Sequence, residues 1–97
     1  FTFARSASPG FTPDYDSGGR INHNDSVDYV RIVCNGGEVN RVDYDDGATF
    51  PDPVGASMSF DPNTFGGLNA YGAYWCTSTS AFGSGDRGTP GMVNDPC

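Results

Sequence analysis

The clearest pattern along the chain is the run Val27-Asp28-Tyr29-Val30-Arg31-Ile32-Val33-Cys34, dominated by β-branched and aromatic residues. In extended form it puts Val30, Ile32 and Cys34 on one face, and Tyr29 and Arg31 on the other. Asn35-Gly36-Gly37 follows and supplies the positive φ angles of a tight turn. Residues 38–44 return with Val42 and Tyr44 on one face, so residues 27–44 are predicted to form a β-hairpin. Asp45-Asp46-Gly47 ends it, because Asp and Gly both tolerate left-handed geometry.

A second alternation, Ala56-Ser57-Met58-Ser59-Phe60, sets apolar residues against two serines and predicts a half-buried strand. Ala73-Tyr74-Trp75-Cys76-Thr77 reads as a short strand carrying the only Trp. Residues 1–4 read as the tail of a strand, 5–19 as a long loop broken by Pro and Gly, and 61–72 as another loop. A final strand or bridge is expected at Met92–Val93. Pro51 and Pro53 exclude a regular central strand around them. Short strands at this spacing predict a single all-β domain, an antiparallel β-sandwich spanning residues 1–97.

Composition supports the β reading. Leu68 is the only Leu, so amphipathic helices have no material for their apolar stripes, whereas seven Val and thirteen aromatic residues suit strands. No run approaches the ~20 apolar residues of a membrane-spanning helix. The formal charge is −7; every acidic residue except Glu38 is Asp, and all five basic residues are Arg. Those arginines are scattered among carboxylates, which argues against a nucleic-acid surface. The Lys-free, Asp-rich and Cys-containing composition points outside the cytosol, to an extracellular or cell-surface protein.

The chain from residue 20 to 94 resembles the bacterial lamin-tail domain. The resemblance rests on the hairpin 28–44, the Ser-Met-Ser strand, the pair Trp75-Cys76, and above all the ending Gly88-Thr89-Pro90-Gly91-Met92-Val93-Asn94. Trp75 followed by a loop and then Gly88, Thr89, Pro90, Gly91 and Asn94 matches the family's closing motif. The resemblance implies an immunoglobulin-like sandwich serving as a non-catalytic structural or adhesive module, in some settings beside a secreted hydrolase such as a nuclease. The family's opening strands have no counterpart here. The chain therefore reads as the C-terminal portion of such a domain, completed by the rest of its own polypeptide or by strand addition from neighbouring copies, as in a surface assembly or filament.

No catalytic set emerges. His23, the single His, lies in a polar stretch and is expected to be a solvent-exposed loop residue, and the Cys and His spacing fits no zinc site. The chain is therefore expected not to be an enzyme. Calcium is the one cofactor with a local basis: Asp14 and Asp16 precede Gly18, and Asp43 and Asp45 precede Gly47, as in oxygen-donor loops. A calcium-dependent binding module is accordingly the alternative function. Asn24-Asp25-Ser26 is a glycosylation sequon. Phe11, Tyr15, Phe65, Tyr71 and Tyr74 are expected mainly to cover a small core. Three cysteines leave one unpaired. The expected bridge is Cys34–Cys76, worth about 4 kcal/mol, with Cys97 pairing outside the chain; Cys76–Cys97 is the alternative.

Overall fold

The computed structural model describes residues 2–6, 9–23 and 26–97. The sequon at Asn24 and the first residue lie outside them. The described residues are mostly strand with almost no helix: eight strands and two short 3-10 turns at Gly66–Leu68 and Gly72–Tyr74. Among the described residues the strands pair as four separate two-stranded sheets.

Strands β3 (Val27–Cys34) and β4 (Gly37–Asp45) form the expected antiparallel hairpin. Asn35 and Gly36 make its two-residue turn with φ of 50° and 77°, the pair of positive values that a type I′ turn demands. Val30 lies opposite Val42, and Asp28 opposite Tyr44. The register shifts between Ile32 and Val33, where Val39 is the extra residue on β4, a β-bulge. At the far end Asp46 and Gly47 take φ of 59° and 80°, and the Ala48 amide donates to the Asp45 carbonyl, which closes β4 as anticipated.

Strands β5 (Met58–Phe60) and β6 (Trp75–Thr77) pair antiparallel, with Phe60 opposite Trp75 and Ser59 opposite Cys76. Alternation therefore gives this small sheet two unlike faces. On one, Trp75 meets Phe60 and Phe50 at ring-centroid distances of 5.4 and 5.9 Å, and Phe50 is among the most buried side chains. On the other, Ser57, Ser59 and Ser78 gather around hydroxyl–hydroxyl hydrogen bonds, with Ser59 and Ser78 almost fully buried. Ser57 stays exposed, as a half-buried strand predicts, but Ser59 is buried against Ser78, since small hydroxyls that satisfy one another can be buried at little cost.

Three further expectations are corrected. Strand β1 (Phe3–Ala4) pairs in parallel with β2 (Tyr15–Asp16), inside what reads as a featureless loop, so the pairing is not purely antiparallel. Met92–Val93 is not a strand; both side chains are exposed, and the Met92 amide closes a turn onto the Thr89 carbonyl. The last pairing is instead β7 (Ala81–Phe82) with β8 (Asp86–Arg87), joined through Gly83-Ser84-Gly85. A parallel bridge from Ala56 to Arg87 ties this hairpin to the residues before β5.

Candidate interaction surface

The hairpin β3–β4 carries the most exposed apolar surface of any element. Val27, Ile32 and Val39 are each more than 60% exposed, and Tyr29, Val30 and Val33 are also exposed. Strand β4 is the more covered of the two, because Asn40 Oδ1 accepts from Asn69 Nδ2 at 2.7 Å and Asp45 reaches residues 49 and 50. Strand β3 is open along nearly its whole length. Near the base of the hairpin, a cavity of about 320 Å³ separates Val30 and Tyr44 from Phe50, Pro53 and Met58. Sheet β3–β4 is thus not fully packed onto the residues beneath it.

One face of the hairpin is organised around Tyr29. The Arg41 guanidinium lies 3.9 Å from its ring centroid, and that of Arg31 lies 5.8 Å away. Arg41 is held by both Asp43 oxygens, each 2.9 Å from Nε, and Arg31 lies 3.9 Å from Glu38. The Asp43 hydrogen bond raises the Arg41 pKa, and the same contact lowers that of Asp43. These exposed pairs orient side chains and contribute little stability.

The four acidic residues considered for calcium are not brought together, and each serves the protein locally. Asp14 accepts from the Thr2 amide at 2.6 Å, which lowers its pKa. Asp16 caps the Gly18 amide, Asp43 holds Arg41, and Asp45 caps the amides of Thr49 and Phe50, the latter being the main reason its pKa is lowered. Among the described residues no three His, Cys, Asp or Glu side chains converge on a common point. His23 is exposed, with Nδ1 3.9 Å from Asp28.

The disulfide joins Cys76 to Cys97, with Cα atoms 5.7 Å apart, and Cys34 is a free, exposed thiol. This corrects the expected Cys34–Cys76 bridge. Cys34 sits at the tip of the hairpin, whereas Cys76 lies on the serine face of β5–β6, against which the chain's end is docked. Of the five aromatics expected to cover the core, Tyr15, Phe65, Tyr71 and Tyr74 are exposed. Only Phe11 is half-buried, its ring edge-on to Phe82 at 6.0 Å.

The closing-motif residues have local structural tasks. Trp75 Nε1 donates to the Asn69 carbonyl at 2.8 Å. Gly88 is buried where a Cβ would lie 3.0 Å from both the Phe82 ring and Ser57 Oγ. Thr89-Pro90-Gly91-Met92 is a turn, with Gly91 at φ 75° as a type II turn requires after Pro. Asn94 Nδ2 donates to the Phe60 carbonyl at 2.9 Å, which fixes the tail beside β5. Thr2, Phe11, Phe82, Pro90 and Met92 line a shallow groove of about 460 Å³ next to this turn.

Among the described residues no helix is long and apolar enough to cross a membrane. No protein-family model, curated protein or solved structure matches the chain.

Proposed function

We propose that this chain is a non-catalytic extracellular module that acts by contact with other protein. In this reading it is a structural or adhesive element of lamin-tail type. Its hairpin belongs to an immunoglobulin-like sheet completed by another strand, drawn from its own polypeptide or from a neighbouring copy. The observation that carries the reading is the β3–β4 hairpin: two strands of eight and nine residues with exposed Val and Ile on a pair that has no third strand among the described residues. An isolated two-stranded ribbon is marginal in water, and an open edge invites another strand. The Cys76–Cys97 bridge supports an oxidising compartment, and the acidic, Lys-free composition supports a protein partner over nucleic acid.

The test is the solution state of the purified chain, measured by light scattering across micromolar to millimolar concentration with a thermal scan. Concentration-dependent association, with a melting temperature that rises with concentration, supports the reading. A monodisperse monomer that unfolds cooperatively, at a temperature independent of concentration, overturns it.

A further inference from the structure

We infer that the partner of β3 is a second copy of the same strand, added antiparallel about a two-fold axis through Val30. The inference rests on the strand-addition reading above and specifies its occupant and register.

The direction in which each β3 backbone group points follows from two independent observations. In a two-residue hairpin the residues flanking the turn, here Cys34 and Gly37, exchange both hydrogen bonds. Alternation then turns the amides of Ile32, Val30 and Asp28 toward β4, and those of Val33, Arg31, Tyr29 and Val27 outward. The bulge at Val39 lies on β4 and leaves this order on β3 intact. The Tyr29 amide confirms it, since it donates to the Asp28 carboxylate at 2.8 Å. Among the described residues, no backbone hydrogen bond outside the β3–β4 ladder reaches Val27, Arg31 or Val33.

An antiparallel strand on this edge must set outward residues against outward residues. For two identical strands that condition admits few registers. Centring on Arg31 stacks the two guanidinium groups, and like charges directly opposite are destabilising. Centring on Tyr29 shortens the overlap to residues 27–31. Centring on Val30 keeps residues 27–33 paired, with Val27 opposite Val33 and Tyr29 opposite Arg31 of the second copy. The first is a β-branched pair and the second a cation–π pair, and both favour cross-strand contact. Val30 then faces its own counterpart as a non-hydrogen-bonded pair, where Cα atoms approach to about 4.5 Å. The product is a continuous four-stranded sheet, β4–β3–β3–β4, with the two Cys34 residues at opposite ends.

Single-cysteine variants in a Cys34→Ser background, with Cys76–Cys97 intact, test the register. Under mild oxidation Val30→Cys is expected to give an inter-chain disulfide at least about tenfold faster than Tyr29→Cys or Arg31→Cys, because only position 30 meets itself within disulfide reach. Peptide mapping identifies the bridge. Arg31→Pro provides a second readout that needs no cross-link. It removes an outward amide that β4 does not use, so the circular dichroism of the hairpin persists while the dimer dissociation constant rises by about tenfold or more. Dimers that cross-link faster at position 29 or 31 than at 30, or an Arg31→Pro dimer of unchanged affinity, overturn this register and leave strand addition standing. A Cys34→Ser protein that stays monomeric to millimolar concentration overturns both.

Discussion

The Asp95 carboxylate accepts two hydrogen bonds from Ser80, one from its amide at 2.9 Å and one from its hydroxyl at 2.7 Å, and a third at 2.8 Å from the Thr79 amide. These contacts fasten the C-terminal segment beside β6, two residues before the disulfide to Cys76. They also lower the Asp95 pKa from the ordinary 3.8 to about 2, the Ser80 hydroxyl bond being the largest cause. A folded-state value below the unfolded one means that the contribution is complete above about pH 4 and disappears as pH falls through about 2. The Thr79 and Ser80 amide resonances should therefore titrate with a midpoint near 2. Asp95→Asn should abolish that titration, and a midpoint near 3.8 would show that the carboxylate is not held.

Ser59 and Ser78 form a buried hydroxyl pair, with Ser57 3.0 Å from Ser78. Removing one partner strands the other without water, so Ser78→Ala should cost about 1–3 kcal/mol in urea unfolding. Ser59→Ala with Ser78→Ala should cost less than the sum of the two single changes. Strict additivity would mean that the hydroxyls do not depend on one another.

Gly72 is buried, and a Cβ there would run into the Thr49 carbonyl and the Phe50 amide. Both obstacles are backbone and cannot swing aside. Gly72→Ala is expected to lose roughly 1–3 kcal/mol by overpacking, whereas Gly66→Ala, with open space around the site, should lie within about 0.5 kcal/mol of the parent. Equal effects of the two substitutions in denaturant titrations would contradict this placement of the segment at residues 49–50 against Gly72.

Iodoacetamide should modify Cys34 in the native, unreduced protein, and a non-reducing peptide map should recover Cys76 joined to Cys97. Closing a 21-residue separation restricts the unfolded chain, so reduction should cost about 3 kcal/mol. Recovery of a Cys34–Cys76 peptide would refute this pairing.

The hairpin was legible because three signals coincide there: β-branched runs, an Asn-Gly turn and a closing Asp-Gly. The Asp-rich turns were also visible, but a carboxylate before Gly serves equally to cap a nearby amide, as Asp16 does for Gly18. Calcium coordination and amide capping share one local pattern. The burial of Ser59 was not legible because alternation separates two faces without saying which is covered, and the groups against Ser59, from Ser78 and Cys97, come from distant parts of the sequence. Cysteine pairing failed for a similar reason, since three cysteines allow several bridges and spacing does not choose among them. Two-residue strands such as Phe3–Ala4 are too short to show any period.

Amide hydrogen exchange along β3, followed by NMR as a function of protein concentration, tests the central claim most directly. The Val30 and Ile32 amides, bonded to β4, should be protected in dilute solution. Those of Arg31 and Val33 should exchange rapidly there and become protected as concentration rises, because a second strand then accepts from them. Arg31 and Val33 amides protected equally with Val30 at every concentration, or exposed at every concentration, would contradict an open edge that is filled by strand addition.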